Sequence, residues 1–435
     1  MRGLSSLGHP SEPPGEAKGS SLLNQSSWAL LAEILMLVGM AASFIILPSQ
    51  LTPAEYGIVG GIQGLVAPSM EIALLGAPAL LIRRVSHGEP VKWAWMRLNT
   101  ANFYGSIVIT MLLIVTKPWL LGPAPLLPYV LLVLANGFLA VTGDQLSLLH
   151  TSLERMDRTA LMRGLYTVPR LLALFGLLLI PDPSLMTWAL LFTAANFAGF
   201  VATRWHARRD HGLSYRVGSP RSMMADSRQS YGFALTGMSD SVLSVSDRPI
   251  LVNSGFDSAA GTYTLATRFV SLAMMPSIAL VRAATSRLYA AGKEGVRSSG
   301  RVATALMGPT VAIGVVSALA LWFGAPLINL IVDPSYADVV PTVRFLALIP
   351  LVKTAQYLAG NALDAALFQF WRFRLTLAAA VVNLGLNAVF IPKYSWKAAV
   401  ASTVLAEILL TLSLWAAVFV LGRRQDDSSP PVVAS

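Results

Sequence analysis

The strongest constraint in this sequence is a series of apolar runs that are each long enough to cross a lipid bilayer. In the run from Ile58 to Ile82 the only charged side chain is Glu71. As a helix, that run reaches about 37 Å at a rise of 1.5 Å per residue, and the hydrocarbon core of a bilayer is about 30 Å thick. Because such runs recur along the whole chain, the sequence predicts a protein that crosses the membrane many times.

The composition agrees with a membrane protein and narrows its chemistry. Hydrophobic residues make up 54% of the chain and charged residues 12%, which is about half the charged fraction of soluble domains. The absence of cysteine excludes disulfides and thiolate chemistry. Neither a GxxxxGKS/T phosphate-binding loop nor an HExxH zinc motif occurs. We therefore predict no catalytic residues, no metal site and no cofactor, and a protein that is not an enzyme.

About twelve membrane-spanning helices are predicted, which makes the fold class an all-α integral membrane protein. The longest connection, at residues 206–228, divides the chain into an N-terminal lobe (28–205) and a C-terminal lobe (229–421) of six helices each. Residues 1–27 and 422–435 are predicted to be tails. Transporters are often built from two such repeats and handle substrate between them. The predicted spans are 28–47, 58–82, 96–116, 126–148, 161–180, 185–203, 229–252, 262–285, 302–324, 338–361, 373–391 and 398–421.

Lysine and arginine are distributed unequally between the two sides of the predicted bundle. Of the basic residues outside the spans, only Lys117, Lys393 and Lys397 lie on one side, and all the others lie on the opposite side. The positive-inside rule makes the basic side cytoplasmic, so both termini are predicted to lie in the cytoplasm. This topology accounts for the net charge of +10 without a nucleic-acid partner.

Polar and charged side chains recur at helical spacing within several spans. Asp240 and Asp247 share one face of the seventh span, and Arg268 and Arg282 share one face of the eighth. Charges at this depth mark a functional site by default, although opposite charges on facing helices also pair to hold a bundle together. The sequence leaves both interpretations open. The candidate residues are Glu33, Gln63, Glu71, Asp240, Asp247, Arg268, Arg282 and Lys353.

Other charges in or near the spans receive less weight. Asp144 lies near the predicted cytoplasmic end of its helix, where we expect its side chain to reach the membrane interface. The same interfacial position is an alternative for Arg282. Arg163 is counted with the cytoplasmic connections, and Arg170 is an isolated charge in the fifth span.

Short motifs in both halves of the chain resemble a known family. The motif LTPAEYG at 51–57, followed by a span that ends in IRR at 82–84, resembles the beginning of Wzx-type polysaccharide flippases. GTY at 261–263 and ATR at 266–268 are similar to their second half. This family belongs to the superfamily of multidrug and toxin extruders (MATE) and the lipid II flippase. The resemblance implies a MATE-like bundle of two six-helix lobes around a central cavity, in the inner membrane of a bacterium.

The resemblance also implies a substrate and roles for the candidate residues. A polyprenyl-pyrophosphate-linked oligosaccharide, such as an O-antigen unit of lipopolysaccharide, passes from the cytoplasmic to the outer leaflet by alternating access. Membrane lipids and glycan-assembly enzymes are the implied partners. The expected substrate-binding residues are Gln63, Asp247, Arg268, Arg282 and Lys353. The expected residues for binding H⁺ or Na⁺ as the coupling ion are Glu33, Glu71 and Asp240.

The sequence leaves two alternative functions open. An ion-driven extruder of cationic drugs suits the acidic residues of the seventh span, whereas Arg268, Arg282 and Lys353 suit an anion. A membrane glycan polymerase or ligase usually carries a large outer loop with catalytic groups, and the outer connections predicted here are only about ten residues long. Lipid II is a poor substrate prediction because the two extra C-terminal spans of its flippase are missing and the first span has Glu33 but no basic residue.

Overall fold

The computed structural model describes residues 22–153 and 155–427, which form helices and no strands. Most of the predicted N-terminal tail, residues 428–435 and several side chains, including those of Glu33 and Gln229, lie outside the described residues. A π-helical turn at Ala135–Leu139 joins α5 to α6, and a 3-10 helix at Ala325–Leu330 follows α13. The α-helices are α1 (Leu22–Gln50), α2 (Pro53–Ala73), α3 (Ala77–Ser86), α4 (Val91–Leu120), α5 (Leu126–Leu134), α6 (Ala140–Ser152), α7 (Met156–Leu178), α8 (Leu185–His211), α9 (Pro220–Val245), α10 (Asp247–Asn253), α11 (Asp257–Ala273), α12 (Met275–Gly292), α13 (Val296–Gly324), α14 (Val339–Leu346), α15 (Ile349–Ala365), α16 (Gln369–Tyr394) and α17 (Trp396–Asp427).

These helices form rods of membrane-spanning length. In the described part of the chain, eight rods are long and apolar enough to cross a bilayer, and ten are if α2 with α3 and α11 with α12 each count as one bent rod. The rod α1 has a shorter apolar part at Ile34–Gln50, and α9 has 26 residues but is more polar. The all-α membrane fold is confirmed, with eight to ten candidate spans in the described part of the chain. Helices α1 and α9 lie where the first and seventh predicted spans begin.

The bends in two of the rods have local causes. Between α2 and α3, Leu75 and Gly76 adopt positive φ angles of 50° and 73°, which end the helix because a right-handed helix requires negative φ angles. A side chain at position 76 would also meet the carbonyl oxygen of Ser230 at 2.4 Å. The rod of α11 and α12 bends by 45° next to Pro276, which cannot donate a hydrogen bond to the preceding turn.

The two halves of the chain meet through α2. Helices α1 to α8 pack mainly on one another, as do α9 to α17, while α2 lies against α9, α10 and α11. We call the end of the bundle at which α2 and α11 begin the far end. The opposite end, at which α3 ends and α4 begins, is the basic end.

Glycines bring the two halves into backbone contact at the far end. A Cβ atom on Gly57 of α2 would lie 2.0 Å from the carbonyl oxygen of Asp257. A Cβ atom on Gly261 of α11 would lie 1.9 Å from the carbonyl oxygen of Pro53. Small residues permit such close helix packing within membranes, so the far end is closed where these two helices cross.

Polar contacts join the halves at the basic end. Both terminal nitrogens of Arg84 contact the Asp226 carboxylate, at 3.1 and 2.6 Å, and Arg97 Nε lies 3.6 Å from the same carboxylate. The ring of Trp93 lies 4.6 Å from the Arg84 guanidinium and 4.7 Å from that of Arg97. Ser230 donates a hydrogen bond of 2.5 Å to the carbonyl oxygen of Leu75. The start of α9 is thereby held against α2, α3 and α4.

The connection between the halves is shorter than the stretch 206–228 that the sequence suggested, because only residues 212–219 are non-helical. It is bound to the N-terminal half. The Arg204 guanidinium lies 4.4 Å from the ring centroid of Tyr215, and Gly218 donates a backbone hydrogen bond of 2.7 Å to Thr100. Burial raises the pKa of the Tyr215 phenol, so this side chain stays neutral beside the guanidinium.

Replacing the glycines of the far-end contact by alanine should destabilise the protein. Alanine normally stabilises a helix by about 1 kcal/mol relative to glycine, but at Gly57 and Gly261 the new methyl group meets backbone atoms. We expect each substitution to cost about 1–3 kcal/mol, as overpacking does, and to lower the unfolding temperature in detergent. Gly308→Ala and Gly385→Ala are matched controls, since a Cβ atom at either position has no neighbour within 4 Å. Equal unfolding temperatures for the two sets would contradict the backbone contact.

Candidate functional site

A cavity of about 820 Å³ lies in the N-terminal half and reaches residues of the C-terminal half. Its lining comes from α1, the rod of α5 and α6, α7 and α8, together with Gln63 of α2 and with Arg268 and Met275 of the C-terminal half. The cavity extends from Phe44 to Leu30 along α1, which is toward the basic end. It is therefore a space shared by both halves below the closed far end.

One face of α7 supplies the main polar lining of this cavity. The lining residues follow one another at intervals of three and four, which places them on a single helix face. This spacing was present in the sequence, but Arg163 was assigned to a connection and Arg170 was treated as isolated. The cavity residues of α7 are Arg163, Tyr166, Thr167, Arg170, Leu171 and Leu174.

Arg170 is held in place by neutral groups. Its Nη2 donates to the Tyr166 hydroxyl at 2.7 Å and to Asn196 Oδ1 at 2.9 Å, and its Nε lies 3.2 Å from the same Oδ1. The guanidinium lies over the Tyr166 ring, 4.0 Å from the centroid, and 5.5 Å from that of Phe192. These contacts fix the side chain and leave its positive charge uncancelled.

Arg268 provides a second cation from the other half of the chain. Its Nη2 donates a hydrogen bond of 2.5 Å to Gln63 Oε1, and its guanidinium lies 5.1 Å from the centroid of the Phe44 ring. At 1.5 Å per residue, Arg170 lies about 12 Å and Arg268 about 17 Å from the far ends of their helices. In the described part of the chain, neither arginine forms an ion pair with a carboxylate. Two uncompensated cations therefore lie at similar depth in one cavity.

Asp144 also lines the cavity and is exposed there. The sequence analysis predicted that this side chain reaches the membrane interface. That prediction used only the distance of Asp144 from the end of its helix and did not consider which helix face carries the residue. The structure instead directs it at the space bordered by Arg163 and Tyr166. Among the candidates whose side chains the structure describes, the cavity brings together Gln63 and Arg268.

Lys353 and Asp240 belong to a separate cluster inside the C-terminal half. Lys353 Nζ lies 2.8 Å from Oε1 of the fully buried Glu407, and it donates to Ser244 Oγ at 3.4 Å. Arg372 forms an ion pair with Asp364, and its Nη2 lies 3.9 Å from an Asp240 oxygen. The charges of this cluster largely neutralise one another, and its members are not part of the cavity lining.

Asp247 and Arg282 also lie away from the cavity lining. Asp247 is buried and accepts hydrogen bonds from the hydroxyls of Tyr263 and Thr403 and from the backbone N–H of Arg248. Arg282 is exposed on α12. The face shared by Arg268 and Arg282 in a straight helix is broken by the bend between α11 and α12.

Glu71 lies at the contact between the halves. Its Oε2 is 2.6 Å from the position that a Cβ atom on Gly237 of α9 would occupy, and Glu71 interacts electrostatically with Asp240 one turn further along α9. Two of the expected ion-coupling residues are therefore neighbours across this contact. Glu33, the third, lies on α1, with its side chain outside the described residues.

The fold, but not the sequence, relates this chain to known proteins. No protein-family model and no curated protein sequence matches it. An inward-facing structure of a multidrug resistance MATE family transporter of the MOP superfamily is similar, with a TM-score of 0.71 and 14% identity over 92% of this chain and 100% of the other. The lipid II flippase MurJ in its inward closed conformation gives 0.71 and 12% over 92% and 88%. An outward-facing MATE family transporter gives 0.57 and 15% over 94% and 96%. The chain therefore shares the MATE-like fold, and it is more similar to the inward-facing than to the outward-facing transporter.

The Lys353–Glu407 pair predicts a large difference between single and double substitutions. Glu407→Leu leaves a buried ammonium group without a partner and should cost about 3–5 kcal/mol of unfolding free energy, whereas replacing both partners by apolar residues is often neutral. We expect Lys353→Met with Glu407→Leu to recover most of that loss, as measured by thermal unfolding in detergent. If the double variant is as unstable as Glu407→Leu alone, the loss of stability in the single variant does not come from the unpaired ammonium group of Lys353.

Proposed function

We propose that this protein is a flippase that moves a polyprenyl-pyrophosphate-linked oligosaccharide from the cytoplasmic to the outer leaflet by alternating access. The observation that carries the proposal is the cavity with one uncompensated arginine from each half, Arg170 and Arg268. An unpaired cation inside a membrane protein is costly, and the planar guanidinium group matches two oxygens of a phosphate through charge-assisted hydrogen bonds. A pyrophosphate between these two side chains would neutralise both.

The surroundings of the cavity suit a substrate with a lipid tail. Helix α1 packs along α7 and barely touches α2 and α11, so one side of the cavity is bordered by a single helix. Apolar side chains on α1, among them Leu30, Ile34 and Leu37, are exposed and line the cavity. A prenyl chain can remain among the membrane lipids on this side while the charged head occupies the cavity.

The direction of transport follows from the basic residues. The basic end faces the cytoplasm by the positive-inside rule, and the cavity extends toward that end while the far end is closed. The greater similarity to the inward-facing than to the outward-facing MATE transporter supports a state that accepts substrate from the cytoplasmic side. The protein then lies in the inner membrane of a bacterium, where glycan-assembly enzymes supply its substrate, as in Wzx-type flippases that export O-antigen units.

An ion gradient drives the cycle in this proposal. Glu71 and Asp240 lie at the contact between the halves, so a proton or sodium ion bound there changes the repulsion between two carboxylates as the halves move. Asp240→Asn should therefore abolish the dependence of export on the proton or sodium gradient. Unchanged dependence in this variant would remove Asp240 from the coupling step.

The two arginines provide the main test. We expect Arg170→Ala and Arg268→Ala each to weaken binding of undecaprenyl pyrophosphate about 10- to 100-fold, the equivalent of a lost hydrogen bond to a charged group at about 1.5–3 kcal/mol. Lysine at either position should restore part of this loss, because it keeps the charge without the planar donor geometry. The measurement is quenching of tryptophan fluorescence in detergent, with the exposed Arg287→Ala on α12 as the control.

The same variants can be tested in cells. In a strain that lacks this gene and its surface glycan, the wild type and Arg287→Ala should restore the glycan, and Arg170→Ala should not. Full restoration by both cavity variants, together with undiminished binding of the pyrophosphate, would contradict the proposal.

Extrusion of cationic drugs is the second candidate function. It is favoured by the two carboxylates Glu71 and Asp240 at the contact between the halves and by the fold shared with multidrug resistance transporters. Expression in a host without its own drug pumps separates the two functions. Resistance to cationic dyes that depends on Asp240 but not on Arg170 would support extrusion over flipping.

A further inference from the structure

One carboxylate of the cavity has no neutralising partner among the residues that the structure describes. Asp144 is exposed to the cavity, and among the described residues no side chain forms an ion pair or a hydrogen bond with it. In a space whose other charged lining groups are arginines, a bare carboxylate repels any phosphate. Its position therefore requires an explanation beyond pyrophosphate binding.

The position of Asp144 is fixed by the packing of the residue before it. The ring of Tyr166 is buried between α6 and α8, since a Cβ atom on Gly143 would lie 2.3 Å from the ring and one on Gly199 would lie 2.7 Å from it. The Tyr166 hydroxyl donates to Asn196 Oδ1 at 2.5 Å. These contacts hold α6 against α7 and α8 at Gly143 and therefore hold Asp144, the next residue, at the cavity.

The π-helical turn supplies a second acceptor deeper in the cavity. Asn136 lies in this turn and lines the cavity. Its amide nitrogen donates to the carbonyl oxygen of Leu132 at 2.9 Å, which leaves the side-chain oxygen as an acceptor. Asn136 is eight residues, or about 12 Å, from Asp144 along the rod. The two acceptors therefore face different parts of a ligand, and Asp144 is the one nearer the basic end.

Asp144 lies at a different depth from Arg170. At 1.5 Å per residue, Asp144 is about 12 Å and Arg170 about 21 Å from the basic ends of their helices. The carboxylate thus lies about 9 Å nearer the basic end than the guanidinium group. This separation fits a group that is attached directly to the phosphates.

We propose that Asp144 is the acceptor of a sugar subsite, which binds the hydroxyl and amide N–H groups of the first sugar next to the pyrophosphate. The inference rests on the proposed function and extends it, because it makes Asp144 a specificity-determining residue. The carboxylate accepts hydrogen bonds from sugar hydroxyls and repels phosphate, so the head group enters in one orientation. The sugar lies toward the cytoplasm and the pyrophosphate between Arg170 and Arg268.

Two probes and one isosteric substitution test the subsite. The probes are undecaprenyl pyrophosphate and the same lipid carrying one N-acetylglucosamine, and the full-length protein is held in nanodiscs. We expect the wild type to bind the glycosylated probe more tightly. Asp144→Asn should weaken binding of the glycosylated probe about tenfold or more, as expected for a lost hydrogen bond to a charged group, and should leave binding of the bare pyrophosphate unchanged or tighter. Glu294→Gln, at an exposed position between α12 and α13, is the matched control.

The possible results separate the subsite from the function on which it rests. If Asp144→Asn weakens both probes equally, the carboxylate acts on the cavity as a whole and the subsite is wrong. If the wild type binds both probes equally and Asp144→Asn changes neither, the subsite is also wrong, but the flippase proposal stands. If the wild type binds neither probe, both proposals fail.

Discussion

Two guanidinium groups in one low-dielectric space repel each other, and the arrangement around Arg170 and Arg268 does nothing to cancel that repulsion. Arg170 is held by a phenol, an amide and two aromatic rings, and Arg268 by an amide and a phenyl ring. Neutral partners of this kind orient a cation without consuming its charge. The positive charge of both side chains therefore remains available to an anion, which is the physical basis of the specificity that we propose.

The two halves of the chain differ in whether their buried charges are paired. In the C-terminal half, Lys353 is paired with Glu407 and Arg372 with Asp364. Such pairs replace water with fixed counter-charges, so that part of the bundle is internally neutral and packed. The N-terminal half leaves Arg170 and Asp144 facing a cavity. In the proposed flippase, substrate recognition is therefore concentrated in one half, and the other half contributes Arg268 across the contact.

The membrane-spanning helices could be predicted well from the sequence. An apolar run of membrane length must form a helix across the bilayer, because only then are its backbone polar groups hydrogen-bonded within the segment. The sequence also identified Arg268 and Gln63, which the structure joins. It missed Arg170 because this residue was treated as an isolated charge, although the spacing from Arg163 to Arg170 already defined one face of α7. It missed Asp144 because only the distance of this residue from the helix end was considered. The π-helical turn before Asp144 shifts the face of that rod, and sequence periodicity does not reveal such a turn.

The remaining sites depend on tertiary partners that spacing alone cannot supply. Asp247 lies on the predicted polar face, but it is bonded to Tyr263 on α11 and to Thr403 on α17, which is distant in the sequence. The contacts between the two halves also join residues that are distant in the sequence. At the far end, α2 and α11 meet through glycine and backbone atoms, so separation of these surfaces would break no ion pair between them. At the basic end, separation would expose the Arg84–Asp226 pair to water, which solvates both charges well. In the proposed alternating-access cycle, neither contact therefore imposes a large electrostatic penalty on opening, and the occupancy of the cavity can decide which end opens.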